Sequence, residues 1–154
     1  MRFRLVPASL LVCFAVGMAL AFTRQSALAG NSKLKFEVIL VWGTNDKQSP
    51  DPNHKPVDAD IDKELKKLFK WANYFEVNRK QFELPSTGVT NVPVSEKCQI
   101  EVKRLQGSDI EVSYIGKGKP VYKRIVNLPK GEILVYGGNA PNSTSWFVIL
   151  KRIQ

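Results

Sequence analysis

From residue 36 the chain alternates Phe36, Val38, Leu40 and Trp42 with Glu37, Ile39 and Val41. Both sides are apolar after Glu37, which predicts a strand buried on two faces, central in a sheet or lying under a helix. Trp146, Phe147, Val148, Ile149 and Leu150 are apolar on both sides too, and predict a second central strand, placed beside the first. Over residues 58–71 the period changes. Ile61, Leu65, Leu68, Phe69 and Ala72 fall at i, i+4, i+7, i+8 and i+11, the apolar stripe of one helix. Asp58, Asp60 and Asp62 stand at its start and Lys66, Lys67 and Lys70 at its end, as the helix dipole favours. Asp62 and Lys66 are spaced to pair at i, i+4.

Beyond the helix the pattern is of strands, at residues 74–84, 92–105, 110–115, 121–128, 132–136 and 145–153. Short glycine- and proline-containing connections such as Gln106-Gly107-Ser108-Asp109, Gly116-Lys117-Gly118-Lys119 and Pro129-Lys130-Gly131 separate several of them, which marks antiparallel hairpins. Residues 44–57 are polar and contain Pro50, Pro52 and Pro56, a composition opposed to helix and to ladder pairing. A connection of that length is expected to be either mobile or functional. The predicted fold class is α+β, with one helix packed on an antiparallel β-meander that forms a sandwich or a partly closed barrel. No repeat and no second domain is evident.

The first residues change where this domain is expected to work. Arg2 and Arg4 precede an apolar run over residues 5–22, and Ala27-Leu28-Ala29 closes the segment. A basic start, an apolar middle and a small-x-small end describe a secretory signal peptide over residues 1–29, with a single strand-rich domain over 30–154. The alternative is an uncleaved membrane anchor, since the run is near the lower length limit for spanning a bilayer. Cys13 sits inside the apolar run, away from any lipidation position. After cleavage Cys98 is the sole cysteine, so the domain stands without an internal disulfide. Loss of Arg2, Arg4 and Arg24 lowers the formal charge from +9 to +6. Export together with that moderate excess argues against nucleic acid. It favours another envelope protein, an anionic polysaccharide or lipid head groups as the partner.

Chemistry-bearing motifs are sparse. His54, the one histidine, lies in a polar loop near Asp51, and the two are the nucleus of a possible exported hydrolase. Asp58, Asp60 and Asp62 open like a calcium loop. Counted from Asp58, however, Lys63 and Phe69 occupy the positions that need glycine and glutamate. Cys98 is in phase with Ile100 and Val102 and is expected in the core. The Gly116–Lys119 run lacks the setting of a phosphate loop and reads as a hairpin turn. Gly137-Gly138-Asn139 has the composition of a turn needing positive φ. Asn142-Ser143-Thr144 matches the glycosylation acceptor pattern, relevant only in a eukaryotic host. No cofactor or metal site is implied.

Two features point to binding. Lys63, Lys67 and Lys70 lie at i, i+4 and i+7, opposite the apolar stripe, as a cationic ridge. Trp71 and Tyr74 belong to an aromatic cluster with Phe69 and Phe75 where the helix meets the next strand, suited to anchoring a partner. The expected function is therefore an exported, non-catalytic binding or structural module of the cell envelope, periplasmic or secreted. The alternative is a small hydrolase centred on Asp51 and His54. Intact mass spectrometry of the exported protein should return the mass of residues 30–154. A mass that includes residues 1–29 would identify the anchored form instead.

Overall fold

The computed structural model describes residues 33–154. The expected signal segment, its expected cleavage site and Cys13 lie outside the described residues. In chain order the elements are β1 (Leu34–Thr44), β2 (Lys55–Pro56), α1 (Ala59–Leu68), β3 (Asn73–Leu84), β4 (Val89–Ser95), β5 (Cys98–Arg104), β6 (Asp109–Gly116), β7 (Lys119–Asn127), β8 (Ile133–Ala140) and β9 (Thr144–Arg152). They form a five-stranded sheet of order β2-β3-β1-β9-β8 and a four-stranded sheet of order β4-β5-β6-β7. Every pairing is antiparallel.

The five-stranded sheet is the middle layer. Phe36, Val38, Val148 and Leu150 point from it into a core shared with Ile100, Val102, Ile110 and Val112 of the second sheet. Ile39, Val41, Phe147 and Ile149 point the other way and meet Ile61 and Leu65 of α1. The two-sided apolar pattern of β1 and β9 follows directly from this burial, and the two strands are neighbours.

Several elements depart from the sequence reading. The helix stops at Leu68, because Phe69 adopts extended backbone (φ −136°, ψ 158°) and turns its ring onto Phe147, with centroids 4.5 Å apart. Leu68, assigned to the apolar stripe, is left 62 % exposed. The expected strand over residues 92–105 is two strands joined by a tight turn at Glu96 and Lys97, which lack the usual turn residues. Pro56 does take part in pairing, but only in the two-residue edge strand β2, where the missing donor costs little. The Gly116–Lys119 hairpin turn is present, with Lys117 and Gly118 both at positive φ. Gly137 and Gly138 instead lie inside β8. A Cβ there would come within 2.4 Å of Phe147 and 2.7 Å of Trp146, so packing demands glycine at both positions. The turn that follows places Asn142 and Ser143 at positive φ.

One polar cluster interrupts the apolar layer between helix and sheet. Glu37 of β1 and Glu76 of β3 are each 6 % exposed. Arg79 donates to both, through Nη1 to Glu37 at 2.8 Å and through Nη2 and Nε to Glu76 at 2.6 and 2.9 Å. Its Nη2 also reaches Asp58 at 2.6 Å, and Gln81 donates to Glu37 at 3.0 Å. Residues three apart on a regular strand face opposite ways. Glu76 and Arg79 share a face because the β1–β3 register slips, pairing Leu40 with Asn78 but Val41 with Glu76. Asp58 precedes the helix without capping it through its side chain, its carboxylate being committed to Arg79.

Removing Arg79 leaves buried Glu37 without a cation and Glu76 with only the exposed Lys55, at 3.4 Å. Arg79→Met should cost about 3–5 kcal/mol of stability, read from urea denaturation. Adding Glu37→Leu and Glu76→Leu to that variant should recover much of the loss. A single-variant cost below about 1 kcal/mol would show that the cluster is not structurally required.

Candidate functional site: a cleft at the helix end

The end of α1 is held to the sheet by aromatic side chains. The Trp71 ring lies over Gly43, where a Cβ would approach it to 3.0 Å, and Phe69 packs on Phe147. The chain thus leaves the helix early so that both rings can settle on the sheet before β3 begins. Lys66, Lys67, Leu68, Lys70 and Trp71 then stand on one side of a cleft of about 620 Å³, and Gly137, Gly138 and Asn139 of β8 stand on the other. β8 is an outermost strand of its sheet, so its far edge carries backbone donors and acceptors with no partner strand among the described residues.

The charges here are partly balanced. Lys66 pairs with Asp62 at 2.7 Å and Lys67 with Glu64 at 2.6 Å. Such exposed pairs within a helix are worth only about 0.3–0.5 kcal/mol, so an incoming carboxylate could replace either acid at little cost. Lys70 makes no ion pair among the described residues.

The sequence-derived patch is divided by the fold. Lys67, Lys70 and Trp71 converge on the cleft. Lys63 faces a different groove, beside Asp60, Glu64, Glu132 and Lys151, where the charges are mixed. Tyr74 is 2 % exposed, and its hydroxyl donates to the Leu65 carbonyl at 3.4 Å. It is a core residue of the helix–sheet interface and drops out of the surface patch. Sequence reasoning missed Leu68, Lys66 and the β8 edge. Leu68 was hidden by its fit to the apolar stripe, and the β8 edge depends on strand order.

The His54 loop is more ordered than its composition suggests. Ser49 Oγ and His54 Nδ1 are 2.8 Å apart, His54 Nε2 lies 3.5 Å from Asp51 Oδ2, and the His54 amide donates to the Asp51 carbonyl. Serine, histidine and aspartate are therefore in mutual reach, on opposite ring nitrogens. The same contacts close the loop. Asp51 accepts from Asn53 N and Nδ2 at 2.9 and 3.0 Å, and the Asp51 amide donates to Ser49 Oγ. Cys98 is half-buried, and burial raises its thiol pKa above the ordinary value. Among the described residues no three His, Cys, Asp or Glu side chains are grouped to hold a metal ion, and no helix is long and apolar enough to cross a membrane.

Comparisons with known protein families, with curated proteins and with solved structures find no match to this chain.

The Asn53 backbone N–H, and after it the Asn53 side chain and His54, hold the Asp51 carboxyl below its ordinary range. A lowered carboxyl pKa contributes order that is fully present above the ordinary carboxylate range. That order is lost as pH falls through the lowered value. In an NMR titration the Asn53 amide should therefore shift with a midpoint below the ordinary aspartate range. A midpoint within that range would contradict the turn.

Proposed function

We propose that this chain is an exported, non-catalytic binding module of the cell envelope, and that it takes an extended acidic segment of a partner protein along the open edge of β8. The carrying observation is that Leu68, at 62 % exposure, stands with Trp71, Lys66, Lys67 and Lys70 directly across from that edge. An added strand would hydrogen-bond to β8 through its main chain, as in other cases of strand addition. Its apolar side chains would cover Leu68 and Trp71, and its carboxylates would meet the lysines. Gly137, on the helix side, keeps a side chain out of the cleft. Anionic polysaccharide or lipid head groups would use the lysines but would leave Leu68 uncovered, so they suit the cleft less well.

The second reading, a small hydrolase, draws on the Ser49–His54–Asp51 contacts. Loop closure accounts for the same contacts, and the binding reading is preferred for that reason.

The test is capture of partners from envelope extract by the immobilised exported protein. Leu68→Ser, a surface change with little effect on folding, should weaken retention about tenfold or more. Lys70→Glu should weaken it further and flatten its salt dependence. Retention unchanged in both folded variants would refute the cleft. A hydrolytic activity that disappears in His54→Ala would transfer the function to the loop.

A further inference from the structure

A second concavity lies on the opposite face of the five-stranded sheet from α1, between the two sheets at the end where the β4–β5 and β6–β7 hairpins turn. Its volume is about 370 Å³, and Leu40, Cys98, Tyr114, Val121, Tyr136 and Trp146 form most of its wall. This is within the size range of small-molecule sites, which are characteristically apolar with a few placed polar groups.

The wall is aromatic. Tyr114 stacks on Tyr136 at 4.5 Å between centroids, and Tyr136 meets Trp146 at 5.7 Å. Gly138 makes this possible, since a side chain there would collide with the Trp146 ring. Tyr114 is 1 % exposed and its hydroxyl is closed off from the cavity as well as from bulk water, so this ring backs the wall and its hydroxyl does not face a ligand. Lys97 and Lys117 stand at the same cavity, and neither makes an ion pair among the described residues.

We propose that this cavity binds a flat aromatic anion, whose ring lies against Tyr136 and Trp146 and whose negative charge faces Lys97 and Lys117. The ring surfaces select a flat body over a saturated chain. The unpaired lysines select an anion over a neutral molecule. The site is separate from the helix-end cleft and does not depend on the partner assigned there.

The exported protein offers a direct readout, since Cys98 lies in the cavity wall and is the sole cysteine of residues 30–154. Alkylation of Cys98 by a maleimide is followed with naphthoate, with uncharged naphthalenemethanol, and with decanoate as a saturated anion. Naphthoate should slow alkylation saturably, and at lower concentration than either of the others. Lys97→Glu with Lys117→Glu, both at surface turns, should raise the half-protecting concentration for naphthoate and leave it unchanged for naphthalenemethanol. Leu68→Ser should change nothing, which separates this site from the helix-end cleft. The proposal is overturned by absence of protection, by equal protection from decanoate, or by an unchanged half-protecting concentration for naphthoate in the double lysine variant.

Discussion

The guanidinium of Arg79 is the point at which the layer between helix and sheet accepts buried carboxylates. Because the five-stranded sheet is covered on both sides, a carboxylate on its central strand has no route to bulk water, and Glu37 sits in that position. Isolated carboxylates are not tolerated in such places, so a cation must be brought to it. The β1–β3 bulge does this by turning Glu76 and Arg79 to the same face as Glu37. Of the two guanidinium N–H groups then left over, Asp58 takes one, on Nη2. The entry to α1 is thereby tied to the sheet at a fixed place. With the start pinned, Ile61 and Leu65 land on Ile39 and Ile149, and the far end of the helix reaches Phe147. The position of the cleft is a consequence of that chain of contacts.

What the sequence revealed, and what it hid, divides along the range of the interactions involved. The burial of β1 on both faces was readable because five successive apolar residues, 38–42, carried it. The Gly116–Lys119 turn was readable because glycine at positive φ has a local cause. The boundary of α1 was not, because Phe69 and Trp71 leave the helical path to meet Phe147 and Gly43, which come from β9 and β1. Tyr74 looked like a surface anchor for the same reason, since its burial depends on where α1 lies above it. The Gly137-Gly138 pair carries the composition of a turn, yet its cause is the bulk of two rings on a neighbouring strand. Leu68 is the converse case, a residue that fits the stripe but lies past the last turn that the sheet can cover.

The edges of the sheets differ in how they are protected. β7 is exposed along almost its whole length, but Lys119, Pro120, Lys123 and Arg124 make it a poor template for another strand. Charge and proline guard that edge even though Val121, Tyr122 and Ile125 are exposed. β2 is only two residues long and ends in proline. β8 has neither safeguard in its second half, where Gly137, Gly138, Asn139 and Ala140 follow one another. An edge left in this state is open to pairing, and under the proposed function the lysines opposite it set which sign of charge the incoming strand carries.

The same two-residue step of β8 shapes both concavities. Gly137 faces the helix side, where its missing Cβ admits Phe147 and so lets Phe69 and the helix end settle. Gly138 faces the second sheet, where its missing Cβ admits Trp146 beside Tyr136 and completes the aromatic wall. Alternation along a strand sends successive residues to opposite faces, so one dipeptide meets one dipeptide, Phe147 and Trp146, back to back across the β8–β9 ladder. Glycine propensity works against such a strand, which loses both packing surface and entropy. The large rings of Trp146 and Phe147 offset that loss by occupying the space the glycines leave. The price in β-propensity is therefore paid where it opens room on both faces at once, and a side chain at either position would displace a ring from its own site.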